Sequence, residues 1–152
     1  MECWQPGSRL FDIAYLMILV QAKEEIERQV LATYLEVDEV PELEWAKYFI
    51  MKQFTRMHCI IFAIALCEDF NFLEELERSK KLGIDLMEPL PSFQDLTVSI
   101  YLEQKLNLQS DFGHYQLAYM YHRDLEKAIN DPRYKESLAL IQEEHRPALR
   151  NM

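Results

Sequence analysis

The chain holds four histidines, His58, His114, His122 and His145, and helical spacing sets each beside apolar side chains. His58 follows Phe54 and precedes Phe62. His145 shares a face with Leu138 and Ile141. His122 falls with Ala118, Leu125 and Ile129, and His114 lies one step further along that face. Neutral imidazole is a common metal ligand, so imidazoles converging on one interior would suit a metal site, with Glu24 or Glu25 adding a carboxylate. The first-choice ligand set is Glu25, His58 and His145, followed by Glu24, His114 and His122. The competing reading makes each histidine a core residue whose ring nitrogens bond a neighbouring carbonyl or acid. For His145, in a last helical turn, attraction to the helix C-terminal dipole is an equal alternative.

Other chemistries find little in the chain. No Gly-x-Ser-x-Gly turn is present, and Cys59 beside His58 cannot share a helix face with it. Gly-rich phosphate loops are absent. The glutamate runs EEIER and EVDEVPELE read as a solvated face and a helix entry, so no acid/base couple and no catalytic residue is assigned. Tyr115, Tyr119 and Tyr121 could line a redox pocket, but aromatics at this spacing are more often packing. Met51, Met57 and Met120 read as core filler. Cys59 and Cys67 sit in an apolar run and read as buried thiols in a reducing cytoplasm.

The elements that must position these groups are helices. The 152 residues include only 3 Gly and 6 Pro, too few to punctuate many hairpins. Leu, Glu, Lys, Ala, Met and Gln are common, and 49% of the chain is hydrophobic, enough for a packed core in one domain. A formal charge of −10 argues against nucleic acid and against anionic lipid. The run Leu10 to Val20, interrupted by Asp12, is too short to span a bilayer and lacks the basic start of a signal peptide.

The first helix is expected over about 8–36, apolar all round in its first half and amphipathic in its second. The second, about 41–67, carries the stripe Ile50, Phe54, Met57, Ile61 and Ile64 and is the most buried-looking stretch. A charged helix follows in NFLEELERSKKLG, ending at Gly83. The run IDLMEPLPSF is a loop, and SFQDLTVSIYLEQKL a further helix. Another helix begins at Asp111 or His114, with Gly113 weakening its start, and runs to Ile129. Asn130-Asp131-Pro132 then caps the last helix, which runs to about Leu149.

Two helical hairpins are thus expected, about 8–67 and 111–149, joined by a long crossover over 68–110. Each has an acidic proline turn followed by a helix with a histidine. His58 lies 17 residues after Pro41 and His145 lies 13 after Pro132. The difference is about one helical turn. This pattern, together with the phrase AINDPRYKESLALIQEEHRPAL, resembles the ferritin-like superfamily. The resemblance implies an all-α, up-down four-helix bundle with one or two extra short helices. It also implies a site for iron or manganese built from carboxylates and two Glu-x-x-His pairs. This chain departs from that pattern: the pairs read Thr55-x-x-His58 and Gln142-x-x-His145, and Asp111-x-x-His114 is its one carboxylate three before a histidine.

The function so implied is a metal-associated bundle of oxidase or hydroxylase type, or one that handles iron. The alternative is a bundle without metal acting as an interaction or assembly module. A homodimer through the Leu10–Val20 helix would be one form, and an apolar-ligand pocket a third reading.

Overall fold

The computed structural model describes residues 9–20, 22–67, 71–81 and 111–149, all of whose regular elements are helices. They are α1 (Arg9–Leu19), α2 (Glu24–Leu35), α3 (Glu42–Ala65), α4 (Phe72–Lys81), α5 (Asp111–Asn130) and α6 (Pro132–Leu149). The chain is therefore all-α. Residues up to Thr55 and from Glu126 onward form one compact unit, and Arg56–Leu125 form a second. The loop and helix expected over 84–106, and the Gly83 cap, lie outside the described residues.

The first expected helix is two helices. Ala22 donates its N–H to Met17, and Lys23 takes an extended backbone (φ −70°, ψ 150°) before α2 begins. The physical reason lies in the core. Ala14 and Met17 of α1 join Leu31 of α2 in one buried cluster with Val40, Trp45, Tyr48 and Met51. In one straight helix Met17 and Leu31 would stand about 21 Å apart, too far to line the same small core. The start of α2 carries Glu24, Glu25 and Glu27, whose charge suits the positive end of a helix. At its other end Glu36 takes a left-handed conformation (φ 57°), and its N–H and that of Val37 close onto the last turn.

The helix α1, expected to offer a dimer face, gives Ala14 and Met17 to this core. Ala14, Met17 and Ile18 are buried, while Tyr15, Leu16 and Val20 stay exposed.

A second cluster packs α3 against α6: Ala46, Ile50 and Ile141 are buried, with Leu43, Phe49, Tyr134 and Leu138 around them. Polar links tie the same helices. Lys47 bonds Glu44 (2.9 Å) on its own helix and Glu144 (3.1 Å) on α6. Burial lowers the Lys47 pKa, but the bonds to the two glutamates outweigh it and hold the ammonium above its usual range. Lys52 pairs with the buried Glu27 of α2.

The expectation that α3 is the most buried helix holds only for its first half. Trp45, Ala46, Tyr48, Ile50 and Met51 are buried, yet Phe54, Met57, Ile61, Phe62, Ile64 and Leu66 are exposed. The stripe has the right helical period; covering it is a separate matter that periodicity does not decide.

Two helix starts rest on side-chain caps. Asn71 Oδ1 accepts from the N–H groups of Leu73 and Glu74, while its amide donates to the Glu74 carboxylate. Asp131 Oδ1 accepts from the Arg133 N–H (2.9 Å), and the Arg133 guanidinium closes on the same carboxylate (2.7 Å). The Arg133 hydrogen bonds hold the Asp131 carboxyl down at about 2.

Replacing Leu31, fully buried, with Ala should cost about 2–5 kcal/mol in urea unfolding. The same change at the exposed Leu73 should cost well under about 1 kcal/mol, and equal losses would contradict the assigned core.

The capping carboxylate predicts a pH dependence. Because its folded pKa lies below the unfolded value of about 3.9, Asp131 stabilises the fold above that pH. The contribution falls away as pH drops toward about 2. Asp131→Asn should therefore lower the melting temperature at neutral pH, with the gap to wild type closing between about pH 4 and 2.

Candidate metal centre

Among the described residues, one group of potential ligands converges: Cys67, Asp111 and His114, whose ligand atoms all lie within 4.8 Å of one another. All three belong to the Arg56–Leu125 unit and are half-buried. Cys67 follows the end of α3, where its N–H bonds Ile64 (3.0 Å). Its thiol donates to the Ala63 and Asp111 carbonyls, each at 3.6 Å. The second contact fastens the end of α3 to the beginning of α5.

Asp111 and His114 come from the first turn of α5, where residues three apart project from the same side. Gly113 does not interrupt that turn; it is buried within it. Asp111 at the helix start is favoured by the positive end of the helix, and so is a thiolate brought beside it. His114 Nδ1 is buried with no hydrogen-bond partner among the described residues. A buried ring nitrogen without a partner costs free energy unless a proton donor, acceptor or metal meets it.

The donor set can hold a metal. In a tetrahedral site with Zn–S near 2.3 Å and Zn–N near 2.1 Å, ligand atoms stand about 3.5 Å apart. A spread within 4.8 Å therefore needs closure of roughly an ångström, within the reach of rotamer adjustment. Three protein ligands leave a fourth position open, the arrangement of catalytic rather than structural zinc sites.

Four of the other expected ligands go elsewhere. Glu24 is exposed and engaged by two guanidiniums, Arg28 (3.2 Å) on its own helix and Arg133 (2.8 Å) from α6. Glu25 is exposed, and so are His58 and His122, so these two histidines do not occupy the interior faces expected of them. The exposure of His58 follows from the bare second half of α3. His122 lies on the exposed side of α5, its ring 6.4 Å from that of Tyr119. His145 lies within α6, and its side chain is outside the described residues. Thr55, standing where the family pattern has a glutamate, is fully buried and bonds the Met51 carbonyl (2.9 Å).

Of the five candidate ligands whose side chains are described, only His114 belongs to the cluster. Cys67 was missed as a ligand, since nothing in an apolar run marks one thiol as meeting a helix start 44 residues away, where it bonds the Asp111 main-chain carbonyl. The Asp111-x-x-His114 spacing was the one signal available.

The two thiols should differ in reactivity. Cys59 is buried, and burial pushes its pKa up to about 11. Cys67 is half-buried at a helix boundary. In a Cys3→Ser background at neutral pH, a disulfide reagent should modify Cys67 at least about tenfold faster than Cys59. Cys67→Ser should abolish the fast phase, and equal rates would remove the case for an accessible thiol at this site.

No family model matches the chain, and no curated protein or solved structure matches it.

Proposed function

We propose that the protein binds one divalent metal ion through Cys67, Asp111 and His114. The observation that carries the reading is the convergence of a thiol, a carboxylate and an imidazole around a buried Nδ1 atom with no other partner among the described residues. It keeps the metal-associated reading of the sequence and moves it to a different place.

The two-metal iron or manganese centre of ferritin-like proteins fits poorly here. That centre needs several carboxylates. The chain has Thr55 and Gln142 at two of those positions, and Glu24 is engaged by Arg28 and Arg133. A single mixed sulfur, nitrogen and oxygen set suits zinc or ferrous iron, and suits manganese less because manganese prefers oxygen donors. An open fourth position would admit water, whose proton a bound zinc makes easier to remove. Asp111 and His114, on one helical turn, would fix the angle between two ligands, and Cys67 would clamp the ion from the end of α3.

Calorimetric titration with zinc, and absorption spectroscopy with cobalt(II) as a zinc substitute, test this directly. The expected stoichiometry is one ion per chain, with the absorption of a cobalt–thiolate bond. Cys67→Ser and His114→Ala should each weaken binding at least about tenfold, whereas His58→Ala and Glu24→Gln should leave it unchanged. Affinity should also fall as pH is lowered, because the thiol and imidazole must lose protons to bind. Absence of binding by the folded protein, or binding that survives loss of both Cys67 and His114, would overturn the reading.

A further inference from the structure

Among the described residues, an arc of roughly 160° along the second half of α3 is exposed. From Met57 to Leu66 the sequence is MHCIIFAIAL, ten residues without an acid or a lysine or arginine. At 100° per residue, Cys59 and Ala63 share one side, and both are buried. Met57, Ile61 and Ile64 line the opposite side, flanked by His58, Ala65 and Phe62, and all are exposed. The exposure is large where it counts most: 59% for Ile61 and 55% for Phe62.

We infer that this arc is the surface through which two copies of the chain associate, α3 against α3 about a two-fold axis. Large apolar side chains at these exposures leave on the order of 400 Å² of apolar surface bare, inside the range of about 300–600 Å² for the largest patch on a monomer. Paired with its own copy it would bury at most about 800 Å² in all, below the roughly 1,200 Å² of stable interfaces, so the association is weak and reversible.

Charge selects the occupant. A two-fold contact sets each residue near its own copy, so a charged residue in the arc would meet like charge. The chain carries a formal −10, yet the arc carries none of it. A face meant for a basic partner would present acids, and this one presents apolar side chains and one histidine. An axis near Ile61 would set Met57 of one copy against Ile64 and Ala65 of the other. The small Ala65 permits close approach of the helices. The proposal does not depend on metal binding, since Cys67 and its partners are not part of the arc.

Sedimentation equilibrium of the full chain, with chelator and reductant present, tests it. Wild type should sediment as a dimer that dissociates on dilution, and Ile61→Glu should halve the mass while the circular-dichroism helicity stays unchanged. Should that variant fail to fold, Ile61→Cys in a Cys3→Ser, Cys67→Ser background supplies an independent readout. Mild oxidation should then link two chains covalently through position 61. A wild-type chain that stays monomeric from micromolar to the highest soluble concentration would overturn the inference. So would a monomer whose amides at 57–66 resist hydrogen exchange to the level of global unfolding, because another part of the same chain would then cover the arc.

Discussion

Between Trp45 and Met51 the helix α3 carries apolar side chains around most of its circumference, Lys47 being the one charged residue, and that forces the arrangement of the unit around it. A helix of this kind cannot rest on a single neighbour, because any uncovered face would put large hydrophobic area in water. One side is covered by α1 and α2 through Trp45, Tyr48 and Met51; another is covered by α6 through Ala46 and Ile50. The requirement explains the break before α2. Two short helices can both reach the same stretch of α3, which one long helix could not. It also explains where charge is tolerated. The half-buried Lys52 ammonium pairs with the buried Glu27 carboxylate, which without it would be an uncompensated charge in the interior.

At the margin of this core, cations do work that apolar residues alone do not. The Arg28 guanidinium lies 4.0 Å from the centre of the Trp45 ring and also meets Glu24 and Glu42. Arg133 lies 5.6 Å from the Phe49 ring, caps its own helix through Asp131, and reaches Glu24. Each arginine thus lies over an aromatic face while joining elements distant in sequence. Exposed ion pairs of this kind contribute little singly, but here two guanidiniums share one carboxylate and hold α2 and α6 in register. Glu24 is thereby a structural residue in its own right, which accounts for its place outside the ligand cluster.

The sequence carried the helices well where local rules apply. Period, the Asp131-Pro132 start and the acidic entry to α3 located α3, α5 and α6 within a residue or two, because caps and dipoles act over one turn. It failed where the answer is tertiary. The stripe Phe54, Met57, Ile61 and Ile64 is written the same way whether a neighbour covers it or not, so burial was expected and exposure is found. His58 was carried outward by the same error. The chemistry was legible in part: the spacing of Asp111 and His114 was visible, but Cys67 joins them only because the end of α3 meets the start of α5. A repeat of two histidine-bearing hairpins also proved less informative than it looked. Similar turns recur wherever a helix must start after an acidic break, whatever its inner face later holds.

The end of α3 separates two demands that would otherwise interfere. A thiol that binds metal needs a semi-enclosed polar setting with backbone carbonyls and an acid at hand. A surface that binds its own copy needs water excluded and charge absent. Cys67 meets the first demand, its sulfur turned to the carbonyls of Ala63 and Asp111. Met57, Ile61 and Ile64 meet the second on the side facing away from Cys59 and Ala63. Because a helix presents its two sides at fixed angles, changing residues on one side leaves the backbone that positions the other. Metal affinity and self-association on such an element can therefore be altered separately. Coupling between them would have to travel through the few backbone bonds at 62–67, where the last turn of α3 closes on Phe62 and Ile64.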